Sequence, residues 1–449
     1  MNKLVLVFFL WMLAVCGRAQ DTTRISLLFT GDIMQHDSNI AMAYDPVSKR
    51  YDYSACFEYV APIIRPADLA IGNLELTLAG SPYKGYPQFS APDALAVELK
   101  RIGFDVLVTA NNHSVDRRKK GVERTIRVLD SLAILHTGTF IDSATRANTY
   151  PLIVEKNDFR FSLLNYTYGT NGIPVTKPNI VNLIDTVQIK LDLAQARQQK
   201  TDAIIVFMHW GDEYQSLPNS TQKKLTRLLF REGARLVIGA HPHVLQPMEW
   251  NKEQDQLVVY SLGNFISGQR PRYRDGGAMV WIDMQKITTP AGASTSILNA
   301  EYELEWVQKS NEFVMRPFRY FEGDTVFVKD KTARAAMQVF AKDSRALLSK
   351  HNVNIQERTH SLATDSVVYS IRLPDDVVVD SVLLENPMIK FYGLEQTLDR
   401  GLWMLGNFYD VELAQQAMLQ VVGSTTLRRL RVVRRVDLEL ASGSKNNSN

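Results

Sequence analysis

Cysteine is almost missing from this chain: Cys16 and Cys56 are the only two in 449 residues. That excludes a disulfide framework and any metal cage built from three or four thiolates. A metal, if bound, must sit on imidazole and oxygen ligands. A strong charge of one sign is also lacking, since 51 Lys and Arg against 48 Asp and Glu leave a formal net charge of +3. With no global basic field to neutralise phosphates, general nucleic-acid binding is not expected. Internal repeats, a glycine-rich phosphate loop and long charge runs are absent as well. What remains is an ordinary globular composition, 45% hydrophobic and 22% charged, which excludes disorder for most of the chain. At about 150 residues per domain, the length suggests two or three domains.

The N-terminus reads as a secretory signal. A basic start at Lys3 precedes an apolar run from Leu4 to Val15, and Gly17-Arg18-Ala19 ends in a small residue. The uncharged stretch Leu4 to Gly17 stops short of the roughly 20 residues that span a bilayer. Cleavage after Ala19 is therefore expected, with an exported protein of the periplasm or cell envelope. Lipid attachment at Cys16 and retention of the leader as an anchor are the alternatives, and membrane association is expected only in those two cases.

From Ile25 to about Ser261, short apolar runs alternate with amphipathic stretches. The runs ISLLFT (Ile25 to Thr30), DLAIG (Asp68 to Gly72), FDVLVT (Phe104 to Thr109), FSLLNY (Phe161 to Tyr166), AIIVFM (Ala203 to Met208), RLVIG (Arg235 to Gly239) and LVVYS (Leu257 to Ser261) look like strands covered on both faces. Helical patterns lie between them, at Pro92 to Ile102, Gly121 to Leu132 and Ser220 to Gly233. Such alternation predicts an α/β domain with a buried sheet. From Ala278 to Phe318 the pattern becomes that of strands with one wet face. A helix over Thr332 to His351 is expected to open a smaller C-terminal α+β region, 321–441, behind a first domain of 20–320. The basic segment Leu427 to Arg435 reads as an edge strand with solvated arginines, and 442–449 as a disordered tail.

The chemistry-bearing residues collect just after the apolar runs. Five of the eight histidines, His36, His113, His209, His241 and His243, fall there, together with Asp32, Glu75 and Asn112. In open α/β sheets the loops beyond the carboxyl ends of strands converge on a ligand site. Taken singly, each residue has a bland explanation: Asp32 as a turn residue, Glu75 on the surface beside Asn73, Asn111 and Asn112 in a turn, His209 as a satisfied core histidine. The pair His241 and His243, flanking a proline, is the strongest single element. Together, two carboxylates, an amide oxygen and three imidazoles form a mixed N/O set suited to Zn, Mn or Fe and too rich in nitrogen for calcium. Six ligands exceed what one tetrahedral ion uses, and two divalent ions bridged by a carboxylate would use them all.

The ordered segments GDIM, DLAIGNLE, ANNHSVDRRKKGVERT, HWGDEY, GAHPHVLQPME and YSLGNF resemble the bacterial capsule-synthesis CapA-type family, associated with poly-γ-glutamate and related to calcineurin-like metallophosphoesterases. The resemblance covers about Ile25 to Phe265. It implies a metallophosphoesterase-like β-sandwich flanked by helices and a dinuclear site. In that site Asp32, Glu75, Asn112, His209, His241 and His243 are the metal ligands and His113 is the proton donor, with Asp116 nearby. Two departures stand out. Met34 occupies the place of a metal-binding histidine in the wider phosphoesterase pattern, and GNLE replaces a Gly-Asp pair; His36 is a possible substitute ligand. The implied activity is metal-assisted hydrolysis of a phosphoester or another ester in capsule or poly-γ-glutamate metabolism. Competing with it are an envelope assembly or export factor that binds an anionic polymer without turnover and meets the polymer-synthesis machinery, and a binding module with a vestigial site.

Overall fold

The computed structural model describes residues 21–309, 313–323, 328–358 and, with gaps, 369–434. The expected leader, Cys16 and the polar tail lie outside the described residues. The chain divides into two compact units, 1–358 and 359–449.

Within the first unit two sheets stack face to face. The first runs in the order Phe313–Pro317, Gly292–Lys309, Gly276–Thr289, Asp21–Ile33, Leu69–Leu74, Val106–Val108 and Leu135–Thr137. Its last four strands are parallel, and Asn264–Ile266 adds in parallel to the end of Asp21–Ile33. The second runs Leu245–Asn251, Gln256–Leu262, Leu236–Ala240, Ala203–His209, Phe159–Thr167 and Leu152–Lys156, parallel in the middle with an antiparallel hairpin at each edge.

Alternation of side chains along each strand explains the layering. Leu27, Phe29, Ile71 and Val108 of the first sheet meet Leu163, Ile205, Phe207 and Ile238 of the second in one shared core. Leu28, Ala70 and Leu107 point the other way, against Leu95, Leu99 and Ile102 of the helix Asp93–Ile102. Leu164, Val206 and Val237 likewise cover Ile189, Leu193, Leu225 and Leu229 of the helices Thr186–Gln198 and Ser220–Arg231. The α/β sandwich flanked by helices is thus the fold of this unit, and each apolar run expected to be a doubly covered strand overlaps one, the run Phe104 to Thr109 only over Val106–Val108.

Two expectations change. The strands from Gly276 to Pro317 have no continuous wet face: Ala278, Val280 and Ile282 enter the shared core while Met279 and Trp281 enter the helix-side cluster. What looked like a solvated face includes Glu303 and Glu305, both buried. The helix Lys331–His351 belongs to the first unit, not to a region starting at 321, because Met337, Phe340, Ala341 and Leu348 insert into the shared core. The second unit is α+β as expected. Its antiparallel sheet runs Leu394–Gln396, Trp403–Phe408, Tyr369–Arg372 and Arg431–Arg434, the last at the edge, and Ala417 and Val421 of the helix Val411–Ser424 pack with Ile371 and Leu405.

Candidate metal centre

The parallel strands of both sheets end at the same rim, and six loops converge there. Asp32 sits at an irregularity near the end of its strand, flanked by Asn73 on one side and Asn264 on the other. This crowding explains Gly31, where an added Cβ would lie 2.1 Å from the Gly263 carbonyl oxygen. The Asp32 amide donates to that same carbonyl at 3.0 Å, which fixes the carboxylate inward. One of its oxygens accepts from Asn73 Nδ2 at 2.8 Å; the other accepts from the His241 amide at 3.2 Å and lies 3.1 Å from His243 Nδ1.

Glu75 follows its strand directly, anchored by its amide to the Ile33 carbonyl. Its side chain is fully buried, and Oε1 has no hydrogen-bond partner. That oxygen is 3.6 Å from His209 Nε2 and 3.7 Å from His243 Nε2. His209, the last residue of Ala203–His209, places Nε2 2.9 Å from Asn112 Oδ1, while Asn73 Nδ2 approaches its Nδ1 at 3.3 Å. His241 and His243 hold left-handed backbone conformations, φ 99° and 57°. Such strain at non-glycine residues gathers at functional sites, and here it turns both rings toward the acids. The Tyr214 amide pins the turn through the Pro242 carbonyl at 2.8 Å.

The electrostatics are costly in the protein alone. Burial, and then the charge of Asp32, push the Glu75 carboxyl well above the usual carboxylate range. Burial and the neighbouring histidines hold His209 well below the ordinary imidazole value and push His241 down to about 3. Neutral imidazoles beside buried acids lacking counter-charge form a donor set that fits divalent cations. Two groups of ligand atoms, each within 4.8 Å, are present among the described residues: Glu75 with His241 and His243, and Asp32 with Glu75 and His209. Glu75 belongs to both.

His113 and Asp116 lie beside this cluster. His113 Nδ1 is 2.7 Å from Asp116 Oδ2, which also accepts from the Phe89 amide at 2.7 Å, and the Phe89 ring meets the imidazole edge-on at 4.5 Å. Asn111 braces the loop by donating to the Leu74 carbonyl and accepting from the His113 amide.

All six expected ligands and both expected catalytic residues therefore come together. Met34 does not join them; its side chain is buried in the helix-side apolar cluster. His36 stands apart from both ligand groups, its Nδ1 accepting from the Gly268 amide at 3.1 Å and its ring against Phe89. The sequence reading gave no role to Asn73, which offers two N–H groups to Asp32, Glu75 and His209, or to Asn264, which meets His243 Nδ1 at 3.0 Å. The signal that could have found both is a Gly-Asn pair at the end of an apolar run, at Gly72-Asn73 and again at Gly263-Asn264. Tyr168 and Tyr214, half-exposed over His209, His241 and His243, carry no such signal.

The chain is 29% identical over 272 residues to the PGA biosynthesis protein CapA of Bacillus subtilis, an alignment covering 58% of this chain and 68% of that one. It is 28% identical over 262 residues to the capsule biosynthesis protein CapA of Bacillus anthracis, covering 56% and 61%. Among solved structures, the calcineurin-like phosphoesterase YfkN from Bacillus subtilis aligns with a TM-score of 0.40 and 13% identity, over 72% of this chain and 98% of that one. The model of the family described as bacterial capsule synthesis protein PGA_cap matches residues 26–269. With more than half of its length matched, this chain belongs to that family.

Proposed function

We propose that this chain is an exported metal-dependent hydrolase, phosphoesterase-like and dinuclear, that acts on an ester in capsule or poly-γ-glutamate metabolism. The observation that carries the reading is Glu75: fully buried, with one oxygen unpartnered, and common to both groups of potential ligand atoms. A carboxylate in that position suits a bridge between two ions. Asp32, His209 and Asn112 would hold one ion, and His241 and His243 the other. Divalent Mn, Zn or Fe there would neutralise developing negative charge and make water nucleophilic at neutral pH.

The chain's own residues supply the rest. Asn73 and Asn264 orient the first ligands by hydrogen bonds, as outer-shell groups of metal sites do. His113, held through Nδ1 by Asp116, is left with Nε2 to deliver a proton to the departing oxygen. Export is supported by the leader-like first 19 residues. No helix among the described residues is long and apolar enough to cross a membrane.

The test is metal analysis of purified protein followed by turnover on a panel of phosphomonoesters, phosphodiesters and γ-glutamyl substrates. Two ions per chain and metal-dependent hydrolysis of one class are expected. Replacing both His241 and His243 by Ala should remove most of the metal with little change in far-UV circular dichroism; stoichiometric metal in that variant would refute the ligand assignment. Metal without turnover on any substrate would instead favour an assembly factor that binds an anionic polymer.

A further inference from the structure

The mouth of the centre carries one cation that nothing described so far uses. The Arg274 guanidinium lies over the Tyr214 ring, its carbon 3.2 Å from the ring centroid, and Tyr214 in turn faces His243 at 6.1 Å between centroids. Its main chain is tied to the same centre, because the Arg274 carbonyl accepts from Asn264 Nδ2 at 2.8 Å while Asn264 Oδ1 meets His243 Nδ1. Arg272 nearby is engaged by Asp343, and Arg270 donates to the carbonyls of Ser267 and Val307. The Arg274 side chain has no hydrogen-bond or ion-pair partner among the described residues. Stacking on an aromatic face leaves the guanidinium N–H edge free for a planar oxyanion. The platform is itself fixed, because the Tyr214 amide donates to the Pro242 carbonyl at 2.8 Å.

We infer that Arg274, presented on Tyr214, is the specificity residue of the centre and selects substrates carrying an oxyanion, a carboxylate or a phosphate, next to the group bound at His243. The inference rests on the reading of this rim as a substrate site and names the substrate class. Tyr168 lines the opposite side over His209 and His241, so a chain-like ligand entering between the two tyrosines passes the guanidinium on its way to the ligands.

Binding is the readout that separates this from the metal assignment. Affinity of the full-length, metal-supplemented protein would be measured for a γ-linked hexaglutamate, for the same oligomer with its free carboxylates converted to amides, and for a glycerol-phosphate oligomer, with metal content determined on each sample. Arg274→Ala should weaken the carboxylate or the phosphate oligomer by about tenfold or more, leave the amide oligomer unchanged and retain the metal. Whichever oligomer responds identifies the oxyanion. Arg274→Lys, which keeps charge but loses the planar stack, should recover only part of the affinity. Equal affinity of wild type and Arg274→Ala for both anionic oligomers would overturn the inference, as would wild-type binding of the amide oligomer as tight as that of each anionic oligomer, or no binding of either anionic oligomer. Loss of anion affinity in Arg274→Ala from a protein that takes up no metal would sustain the inference while refuting the metal reading.

Discussion

His113 is held by two contacts of different kinds, a carboxylate on Nδ1 and an aromatic edge on the ring. That arrangement suits the proton-donor role proposed for it, with the tautomer set by its partner. General acid catalysis contributes about 10²- to 10⁴-fold. His113→Ala is therefore expected to keep its metal and to lower turnover about 100-fold or more on esters with poor leaving groups, and far less on an activated aryl ester. An equal loss on both, measured by steady-state kinetics, would argue against proton donation. His36 provides a test that needs no substrate. Burial first, then His243 and His113, push it down to about 4 from an ordinary 6.5. Its folded value is depressed, so the unfolded chain takes up a proton first as pH falls, and stability is lost between pH 6.5 and about 4. His36→Gln should flatten urea-unfolding stability across that window, relative to wild type, by on the order of 2 kcal/mol.

At the scale of elements, the site depends on how closely the strand Asp21–Ile33 approaches the loop entering Asn264–Ile266. A methyl group at Gly31 would collide with the Gly263 backbone, which cannot swing aside as a side chain can. Gly31→Ala is expected to cost about 2 kcal/mol or more in denaturant unfolding and to weaken metal binding by moving Asp32. The strands that were legible beforehand, such as Ala203–His209, are those with apolar residues on both faces, since double coverage writes a continuous run into the sequence. Leu245–Asn251 was not legible as a strand, because Pro247 and alternating polar residues belong to an edge position that tolerates them. Glu303 and Glu305 imitated a wet face for a different reason. Glu303 is buried against Arg319 at 2.7 Å, a partner distant enough in sequence to leave no local trace, while burial pushes the Glu305 carboxyl well above its usual range. The candidate ligands are readable as a set because strand ends gather them; Asn73 and Asn264 stand out less because an asparagine at a strand end usually makes a turn.

For the molecule as a whole, the first unit contains the complete candidate centre, and its shared core is closed by the helix Lys331–His351. A chain ending at Arg358 is expected to fold cooperatively and bind the same metal as the full protein, whereas one ending at 320 should unfold more readily, as thermal denaturation would show. The six candidate ligands also divide evenly between the sheets: Asp32, Glu75 and Asn112 come from the first, and His209, His241 and His243 from the second. The first sheet is itself completed by Gly276–Thr289, which pairs with Asp21–Ile33 and is synthesised after His243. Made N-terminus first, the chain therefore holds only three of the six candidate ligands until the segment Ala203–His243 has been added, and it lacks the strand that pairs with Asp21–Ile33 until Thr289. On the function proposed above, ion capture would mark the docking of the two sheets, and a misdocked chain would keep Asp32 and Glu75 without the imidazoles that complete their donor set.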